Sequence, residues 1–274
     1  MSAACAAGTS GSSDAACAEL YAFAASGSRL LLQVDSDAEC AREHPLLAQL
    51  SRWLVQNEDA HRLNLQDGTA SGLLAHLSET WGWTTTCGDI GREFRAALGA
   101  PGSSVDLGRM VDAELTALLL GVVLQQAPHP YTCMLLEFLR ARRWLPLASQ
   151  VPLWHRSNTI YTFADLLAYD IDKKQLVLIE LKTGFDHAYD APISDLHREI
   201  DVFVDTHRTR HQQQLCWMHV VLAHELGIDE SALCSCIVRV SSAAGAREPD
   251  WSDETVRQFF ADVYINSDPA YAEA

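Results

Sequence analysis

Two charged residues interrupt the most apolar segment of the sequence. Residues 176–181 read LVLIEL, a run that is typical of a buried β-strand, and this run contains Glu180 and is followed by Lys182. Side chains alternate between the two faces of a strand, so Glu180 and Lys182 share one face. An isolated buried charge is costly unless a partner compensates for it. These two residues are therefore the first candidates for chemistry.

A third charged residue, Asp165, joins them if the preceding segment pairs with this strand. The sequence FADLLAYDIDKKQLVLIELKTG predicts two strands joined by a tight turn. A register centred on the Asp-Lys of this turn places Asp165 opposite Glu180, and a shift by one residue places it opposite Lys182. Opposed Cβ atoms lie about 4.5–5.5 Å apart. In both registers the three charges gather at one end of the hairpin.

This combination of charges favours metal-assisted chemistry on phosphate esters. Two neighbouring carboxylates repel each other, and one of them tends to protonate unless a cation intervenes. Mg²⁺ prefers carboxylate, water and phosphate oxygens, and a lysine beside it can hold or deprotonate a water molecule. Asp165, Glu180 and Lys182 are thus predicted to form a phosphodiesterase centre. The alternative is a partly buried salt bridge between Lys182 and one of the two acids.

The charge distribution limits how the chain can hold nucleic acid. The net charge is −16, which excludes binding by bulk electrostatic attraction. Residues 138–215, however, hold 10 of the 20 Lys and Arg residues and 10 of the 36 Asp and Glu residues, so this segment is neutral. A polyanion is expected to bind there, with help from metal ions or local arginines.

The cysteines do not indicate a metal cage. Eight are present, and they are scattered apart from Cys234 and Cys236, with no CxxC pair. Zinc and iron–sulfur sites need closer groups of ligands. We expect free thiols in a reducing compartment.

The positions of apolar and turn residues predict a mixed α/β protein. From residue 105 the predicted order is α-α-β-β-β-α-β, in which a strand meander is followed by a helical crossover. Helices are predicted at residues 44–63, from residue 71 to a break near Gly82, and at 105–126, 131–144, 207–227 and in the tail at 251–264, and strands at 148–156, 159–170, 175–184 and 231–241.

The N-terminal region looks different from the rest. Residues 1–28 are rich in Ala, Ser and Gly and lack a basic residue, which argues against a secretory signal and suggests a disordered leader. Residues 29–104 are predicted to form a helical extension and residues 105–274 the main domain. No apolar run approaches the length of a membrane span. We expect a soluble intracellular protein of the cytoplasm, the nucleus or an organelle, without membrane contacts.

These features resemble the PD-(D/E)xK nuclease superfamily. That family has the core order α-β-β-β-α-β, with an Asp on the second strand and (D/E)-x-K on the third, which Asp165, Glu180 and Lys182 match. Its exonuclease-like branch, which includes RecB-type and lambda-exonuclease-like enzymes, adds QLxxY on the following helix. Gln214 begins the similar sequence QLCWM, where Met replaces the Tyr.

An acidic residue from a helix often completes the metal site in this branch, within or near a GxxxH motif. The sequence GRMVDAEL resembles that motif, with Asp112 in place of the His and Glu114 close by. Glu137, on the helix that leads into the first strand, is a rival candidate. The sequence leaves the choice among these three acids open.

The resemblance implies a restriction-endonuclease-like fold and a Mg²⁺- or Mn²⁺-dependent deoxyribonuclease of the exonuclease-like type, acting in DNA repair, recombination or replication. The substrates implied are DNA ends or single strands, and the acidic remainder of the chain suggests recruitment by a protein partner. The implied roles are metal binding by Asp165, Glu180 and the Leu181 carbonyl, water activation by Lys182, support of Lys182 or the phosphate by Gln214, and phosphate contacts by Arg208, Arg210 and His211.

Two other functions are compatible with the same residues. A catalytically inactive protein of the same fold would bind nucleic acid or another protein. An unrelated α/β interaction protein would use Glu180 and Lys182 only as a structural ion pair.

Overall fold

The computed structural model describes residues 10–66, 104–122, 124, 127–154, 161–183, 189–190, 206–241, 245–247 and 249–261. The helix predicted between residue 71 and Gly82 lies outside these residues. The described helices are α1 (Ser10–Ser36), α2 (Ala38–Glu43), α3 (Pro45–Gln66), α4 (Ser104–Leu119), α5 (Pro130–Ala141), α6 (His207–Leu226) and α7 (Glu254–Phe260), with a 3₁₀ turn at Glu230–Ala232. The strands are β1 (Trp144–Trp154), β2 (Tyr161–Asp170), β3 (Gln175–Thr183), β4 (Leu233–Ser241), β5 (Gly245–Ala246) and β6 (Asp250–Trp251).

The strands form one mixed sheet flanked by helices. β1, β2 and β3 are antiparallel neighbours, and β4 runs parallel to β3. The short strands β5 and β6 both pair with β4 in the antiparallel direction. Parallel neighbours need a long crossover, and α6 supplies it between β3 and β4. The predicted order from α4 to β4 and the mixed α/β class are therefore confirmed.

β3 is covered on both faces, as its apolar sequence suggests. Leu176 and Leu178 belong to a buried cluster that also contains residues of α3 and α6. Val177 and Ile179, on the other face, belong to a second cluster with residues of α1, α4 and α5. The end of β3 that carries Glu180 is thus held rigidly between two helical layers.

The hairpin of β2 and β3 has the first of the two predicted registers. Leu166 pairs with Ile179 and Asp170 pairs with Gln175. The ladder ends at Leu166, and the same register continued by one residue sets Asp165 opposite Glu180. The alternative register, which would have set Asp165 opposite Lys182, is wrong.

The expectation of a disordered leader over residues 1–28 is corrected from residue 10 onward. α1 begins at Ser10 and crosses the predicted boundary, and its Leu20 and Ala24 are buried. The helix lies close to β1, because a Cβ atom added at Gly27 would be only 1.9 Å from the Pro146 carbonyl oxygen. The small residues that suggested disorder instead allow this close packing.

The fourth helix is shorter than predicted. The apolar sequence LLLGVVL suggested a helix to residue 126, but α4 ends at Leu119. Gly121 has a φ of 74°, and the N–H of Val122 donates to the Ala117 carbonyl while that of Gly121 donates to Leu118. This is the arrangement of a glycine-terminated helix.

None of the helices in the described part of the chain is long and apolar enough to cross a membrane.

Candidate active site

Asp165 is held by the two strands beside it. Its Oδ2 atom accepts a hydrogen bond of 2.8 Å from the Leu181 backbone N–H, and its Oδ1 atom lies 3.4 Å from Nε2 of Gln150. Gln150 lies in β1 with a φ of 51°, a conformation that costs a non-glycine residue on the order of 1–2 kcal/mol. The rest of the sheet holds this residue in a strained position beside Asp165, which is a common feature of functional sites.

Glu180 and Lys182 form a close ion pair at the end of β3. Nζ of Lys182 lies 2.5 Å from Oε1 of Glu180. Glu180 is 1% exposed to solvent, whereas the side chain of Lys182 is 17% exposed. Among the residues that the structure describes, none donates a hydrogen bond to the buried Oε2 atom of Glu180. The pair therefore leaves one buried carboxylate oxygen without compensation.

Asp112, on α4, is close enough to Asp165, Glu180 and Lys182 for their charges to interact. Burial and, after it, the charge of Asp165 raise the pKa of Asp112 to about 7, while the charge of Lys182 opposes the shift. Asp112 lies one turn after Gly108, where an added Cβ atom would be 3.1 Å from Oγ1 of Thr183. Gly108 thus allows α4 to approach the end of β3.

The two other acids proposed for this role have different surroundings. Oε2 of Glu114 accepts hydrogen bonds from the His129 N–H at 2.8 Å and from the Thr132 hydroxyl at 2.5 Å, so it stabilises the start of α5. Glu137 is exposed on α5. Of the three acids, Asp112 is therefore the one whose charge is shown to interact with Asp165, Glu180 and Lys182.

The carboxylates of the site carry more negative charge than the nearby lysine neutralises. Burial, followed by the charges of Asp165 and Asp112, raises the pKa of Glu180 to about 7, and Lys182 opposes this rise. Burial also raises the pKa of Asp165. Proximity of like charges and loss of water produce such shifts, and they are concentrated at functional sites.

A divalent cation fits this chemistry, although the protein does not provide a full set of side-chain ligands. Within the described ranges, no three His, Cys, Asp or Glu side chains are grouped closely enough to hold a metal ion. Mg²⁺, however, is usually bound by one or two carboxylates together with water and phosphate oxygens. The uncompensated Oε2 atom of Glu180 and the raised carboxyl pKa values are consistent with such a partly hydrated ion.

Among the residues that the structure describes, no hydrogen bond joins Gln214 to Lys182. Its side-chain amide donates a hydrogen bond of 3.4 Å to the Thr162 hydroxyl on β2. Gln214 therefore lies over the β2 end of the site, and its expected support of Lys182 is absent from the contacts described in this part of the chain.

The three residues proposed to contact phosphate differ from one another. Arg208 binds both carboxylate oxygens of Asp250 at 2.8 and 3.0 Å and lies 3.4 Å from Asp190, so its charge is already neutralised. Arg210 is exposed on the same helix. Nδ1 of His211 lies 3.2 Å from the Tyr189 hydroxyl. Burial and the nearby charge of Lys182 lower the pKa of His211 to about 3, which keeps this ring neutral. The effect of the Lys182 charge indicates that the ring lies close to the site.

Sequence reasoning missed three residues around this group: Gln150, Tyr189 and Arg239. Arg239 is opposite Lys182 in the parallel pairing of β3 and β4. It is the one charged residue in the apolar sequence LCSCIVRVS, the same signal that singled out Glu180 and Lys182. Neither Gln150 nor Tyr189 has a comparable signal, because their roles depend on backbone conformation and on long-range contacts.

A groove of about 420 Å³ reaches the site from the β1 side. Its wall includes Gln150, which contacts Asp165, and the partly exposed ring of Phe163. None of the lining residues that the structure describes is charged; they are Ser28, Leu54, Val55, Asn57, Thr116, Leu119, Leu120, Leu147, Ala148, Ser149, Gln150, Val151, Pro152 and Phe163. The groove suits an uncharged, partly aromatic group.

No protein-family model matches the chain, and no curated protein or solved structure is similar enough to count as a match.

A structural ion pair explains only part of this geometry. It accounts for the contact between Lys182 and Glu180. It does not account for Asp165 and Asp112 beside the pair, or for the buried Oε2 atom that the described residues leave without a donor. The buried negative charge of these carboxylates is costly, so it must be relieved either by protonation or by a bound cation.

Proposed function

We propose that this protein is a metal-dependent nuclease that hydrolyses the phosphodiester bonds of DNA, with a restriction-endonuclease-like arrangement of its core. One observation carries the proposal. Asp165 from β2 and the Glu180–Lys182 pair from β3 meet at one end of the hairpin, and Glu180 keeps a buried oxygen without a donor among the described residues. The order of the core elements, from α5 to β4, supports the same conclusion.

Mg²⁺ or Mn²⁺ is the cofactor that we propose, held by Asp165, Glu180, the Leu181 carbonyl and Asp112. When bound, it would polarise the phosphate and promote deprotonation of a water molecule. The carboxyl pKa values, which are raised by burial and then by mutual repulsion, support this assignment, because a cation would stabilise the charged carboxylates.

The protein's own residues position the reacting groups. Glu180 holds the Lys182 ammonium at 2.5 Å, which fixes where Lys182 can donate hydrogen bonds to an attacking water molecule or a phosphate oxygen. The Leu181 N–H and Gln150 together fix both oxygens of Asp165. Such orientation by fixed partners is a main source of catalytic rate.

The groove beside Asp165 supports a single-stranded or frayed end as the substrate. Unpaired bases stack on aromatic rings with a gain of about 1–3 kcal/mol each, and Phe163 offers a ring that is 38% exposed. The net charge of −16 disfavours long contact with a duplex. Short single-stranded contacts near the metal site avoid this repulsion.

A cleavage assay tests the proposal. The purified protein is incubated with linear and circular, single- and double-stranded DNA and with RNA, in Mg²⁺, Mn²⁺ or EDTA. We expect metal-dependent cleavage of DNA with free single-stranded ends, and its loss in Asp165→Ala and Lys182→Ala. Cleavage that survives either substitution would contradict the assignment of the site.

A second candidate is a binding protein of the same core that has lost catalysis. The hydrogen bond of Gln214 to Thr162, rather than to Lys182, favours this candidate. DNA binding by the wild-type protein without cleavage under any metal condition would support it and would contradict the nuclease proposal.

A further inference from the structure

Arg239 lies beside the catalytic group on the neighbouring strand. β4 runs parallel to β3, and in this pairing Arg239 is opposite Lys182 and Ile237 is opposite Glu180. Ile237 belongs to the same buried cluster as Leu176 and Leu178, which lie on the Glu180 face of β3. Since side chains alternate along each strand, Arg239 and Lys182 point to the same face of the sheet.

The Arg239 guanidinium is oriented by an aromatic ring. Its Cζ atom lies 4.5 Å from the centre of the Tyr189 ring. Tyr189 is itself buried, and its hydroxyl contacts Nδ1 of His211 at 3.2 Å. A guanidinium stacked in this way keeps its N–H donors free to bind an anion in the plane of the group.

The charge of Arg239 is not neutralised by an ion pair within the described ranges. Asp250, which pairs with Ile237 two residues before Arg239 on β4, binds Arg208 through both of its oxygens. Arg208 therefore neutralises Asp250, and no carboxylate within the described ranges pairs with Arg239 beside Lys182. Two cations on adjacent strands, one of them stacked, form a site for an oxyanion.

We propose that Arg239, together with Lys182, binds a backbone phosphate of the DNA strand next to the bond that is cleaved. This inference rests on the proposed nuclease function and deepens it, because it assigns a subsite for one phosphodiester. Tyr189 acts as a positioning residue that fixes the Arg239 guanidinium, and Arg208 occupies both carboxylate oxygens of Asp250.

Binding of labelled single-stranded DNA in the presence of Ca²⁺ tests this subsite separately from cleavage. The proteins are the wild type, Arg239→Gln and, as a matched control, Arg140→Gln, whose arginine lies on α5 in an exposed ion pair with Glu19. Binding is measured by fluorescence anisotropy at several salt concentrations. We expect Arg239→Gln to weaken binding about tenfold and to reduce the slope of log K against log salt by about 0.7, which corresponds to one lost phosphate contact on a single strand. Arg140→Gln is expected to retain the wild-type slope.

Strands that carry one uncharged methylphosphonate linkage identify the phosphate concerned. If Arg239 binds a single phosphate, one linkage position will weaken wild-type binding, and Arg239→Gln will show no further loss on that strand. Additive losses at every linkage position would overturn the proposal, as would equal binding by Arg239→Gln and the wild type.

The outcomes separate this inference from the proposed function. Binding that depends on Arg239 without any cleavage would contradict only the nuclease function. Cleavage that is unaffected by Arg239→Gln would contradict only the phosphate subsite. If Arg239→Gln fails to fold, as judged by thermal unfolding, Arg239→Lys takes its place. It is expected to keep the wild-type salt slope but to bind more weakly, because a lysine lacks the planar stacked group, and wild-type affinity would overturn the proposal.

Discussion

Oδ2 of Asp165 accepts a hydrogen bond of 2.8 Å from the backbone N–H of Leu181, the residue between Glu180 and Lys182. The second strand therefore contacts the third at the point where its charged residues begin. The contact fixes the distance between Asp165 and the Glu180–Lys182 pair through the backbone of β3, which is buried on both faces. This arrangement makes the hairpin a rigid support for the proposed catalytic residues.

Gln150 is expected to matter for catalysis more than for stability. In Gln150→Asn the shorter side chain cannot reach Asp165, while asparagine tolerates the positive φ of this position better than most residues. We expect kcat to fall about tenfold, with a change of less than about 1 kcal/mol in the free energy of unfolding. Steady-state cleavage rates and urea unfolding measure the two effects. A large loss of stability with unchanged kcat would contradict a positioning role.

Asp112→Asn is expected to stabilise the metal-free protein at high pH. The pKa of Asp112 is raised to about 7 in the folded protein, so between about pH 4 and pH 7 the folded state binds more protons than the unfolded state. The wild type therefore loses stability as the pH rises through this range, and the variant does not.

The expected gain of Asp112→Asn is on the order of 1–2 kcal/mol at pH 8, after a discount for solvent screening, and it should vanish below pH 4. Urea unfolding in EDTA at pH 4, 6 and 8 measures it. Glu137→Gln, at an exposed position, is the control and should show no such trend. A gain that is equal at all three pH values would contradict the electrostatic origin.

The apolar patterns of the sequence predicted most of the core strands and helices, but not the register of the hairpin or the end of α4. LVLIEL and LCSCIVRV identified β3 and β4 because strands covered on both faces need apolar residues at nearly every position. The sequence could not choose between the two hairpin registers, since the turn residues DKK fit both. The sequence also predicted that α4 extends beyond its actual end, because LLLGVVL continues the apolar pattern past the glycine that ends the helix.

The sequence predicted the grouping of the hairpin residues of the candidate site better than the residues that other segments contribute. Asp165, Glu180 and Lys182 lie within two strands joined by a short turn, so local spacing was enough to bring them together. Asp112, Gln150, Tyr189 and Arg239 come from four other segments, and only the packing of the sheet brings them close. The small residues of α1 suggested disorder because their use in close packing depends on a distant partner, Pro146.

Gly27→Ala is expected to destabilise the protein, against the usual trend in helices. Alanine normally stabilises a helix interior by about 1 kcal/mol relative to glycine. Here the added Cβ atom would lie 1.9 Å from the Pro146 carbonyl oxygen, so α1 must move away from β1. We expect a loss of about 2–3 kcal/mol in urea unfolding. Leu32→Ala, at a position of α1 that is 71% exposed, should change stability by less than about 1 kcal/mol. A stabilised Gly27→Ala variant would show that α1 does not pack against β1.

Below neutral pH, His219 is expected to reduce the stability of the fold. It is buried on α6 with Nδ1 2.5 Å from the Ser235 hydroxyl, and burial lowers its pKa from an ordinary 6.5 to about 3. Between these values the unfolded state binds more protons, so the stabilising effect of the neutral ring is complete above about pH 6.5 and is lost as the pH falls.

His219→Gln removes this proton-linked loss. We expect the stability of the wild type relative to the variant to fall by about 1 kcal/mol for each pH unit between pH 6.5 and pH 5. Comparing the two proteins by urea unfolding at each pH cancels the contributions of the other titrating groups. A difference that does not change with pH would contradict a neutral buried His219.

The most direct test of the central claim is the single-turnover cleavage rate of labelled single-stranded DNA in Mg²⁺ by the wild type, Glu180→Gln and Glu137→Gln. The two variants make the same chemical change, one at the buried acid of the hairpin and one at the exposed acid of α5. If Glu180 helps to hold the metal and orient Lys182, its substitution should lower the rate by at least about 100-fold, while Glu137→Gln cleaves at the wild-type rate. Cleavage by Glu180→Gln at the wild-type rate would contradict the claim that this hairpin carries the catalytic site.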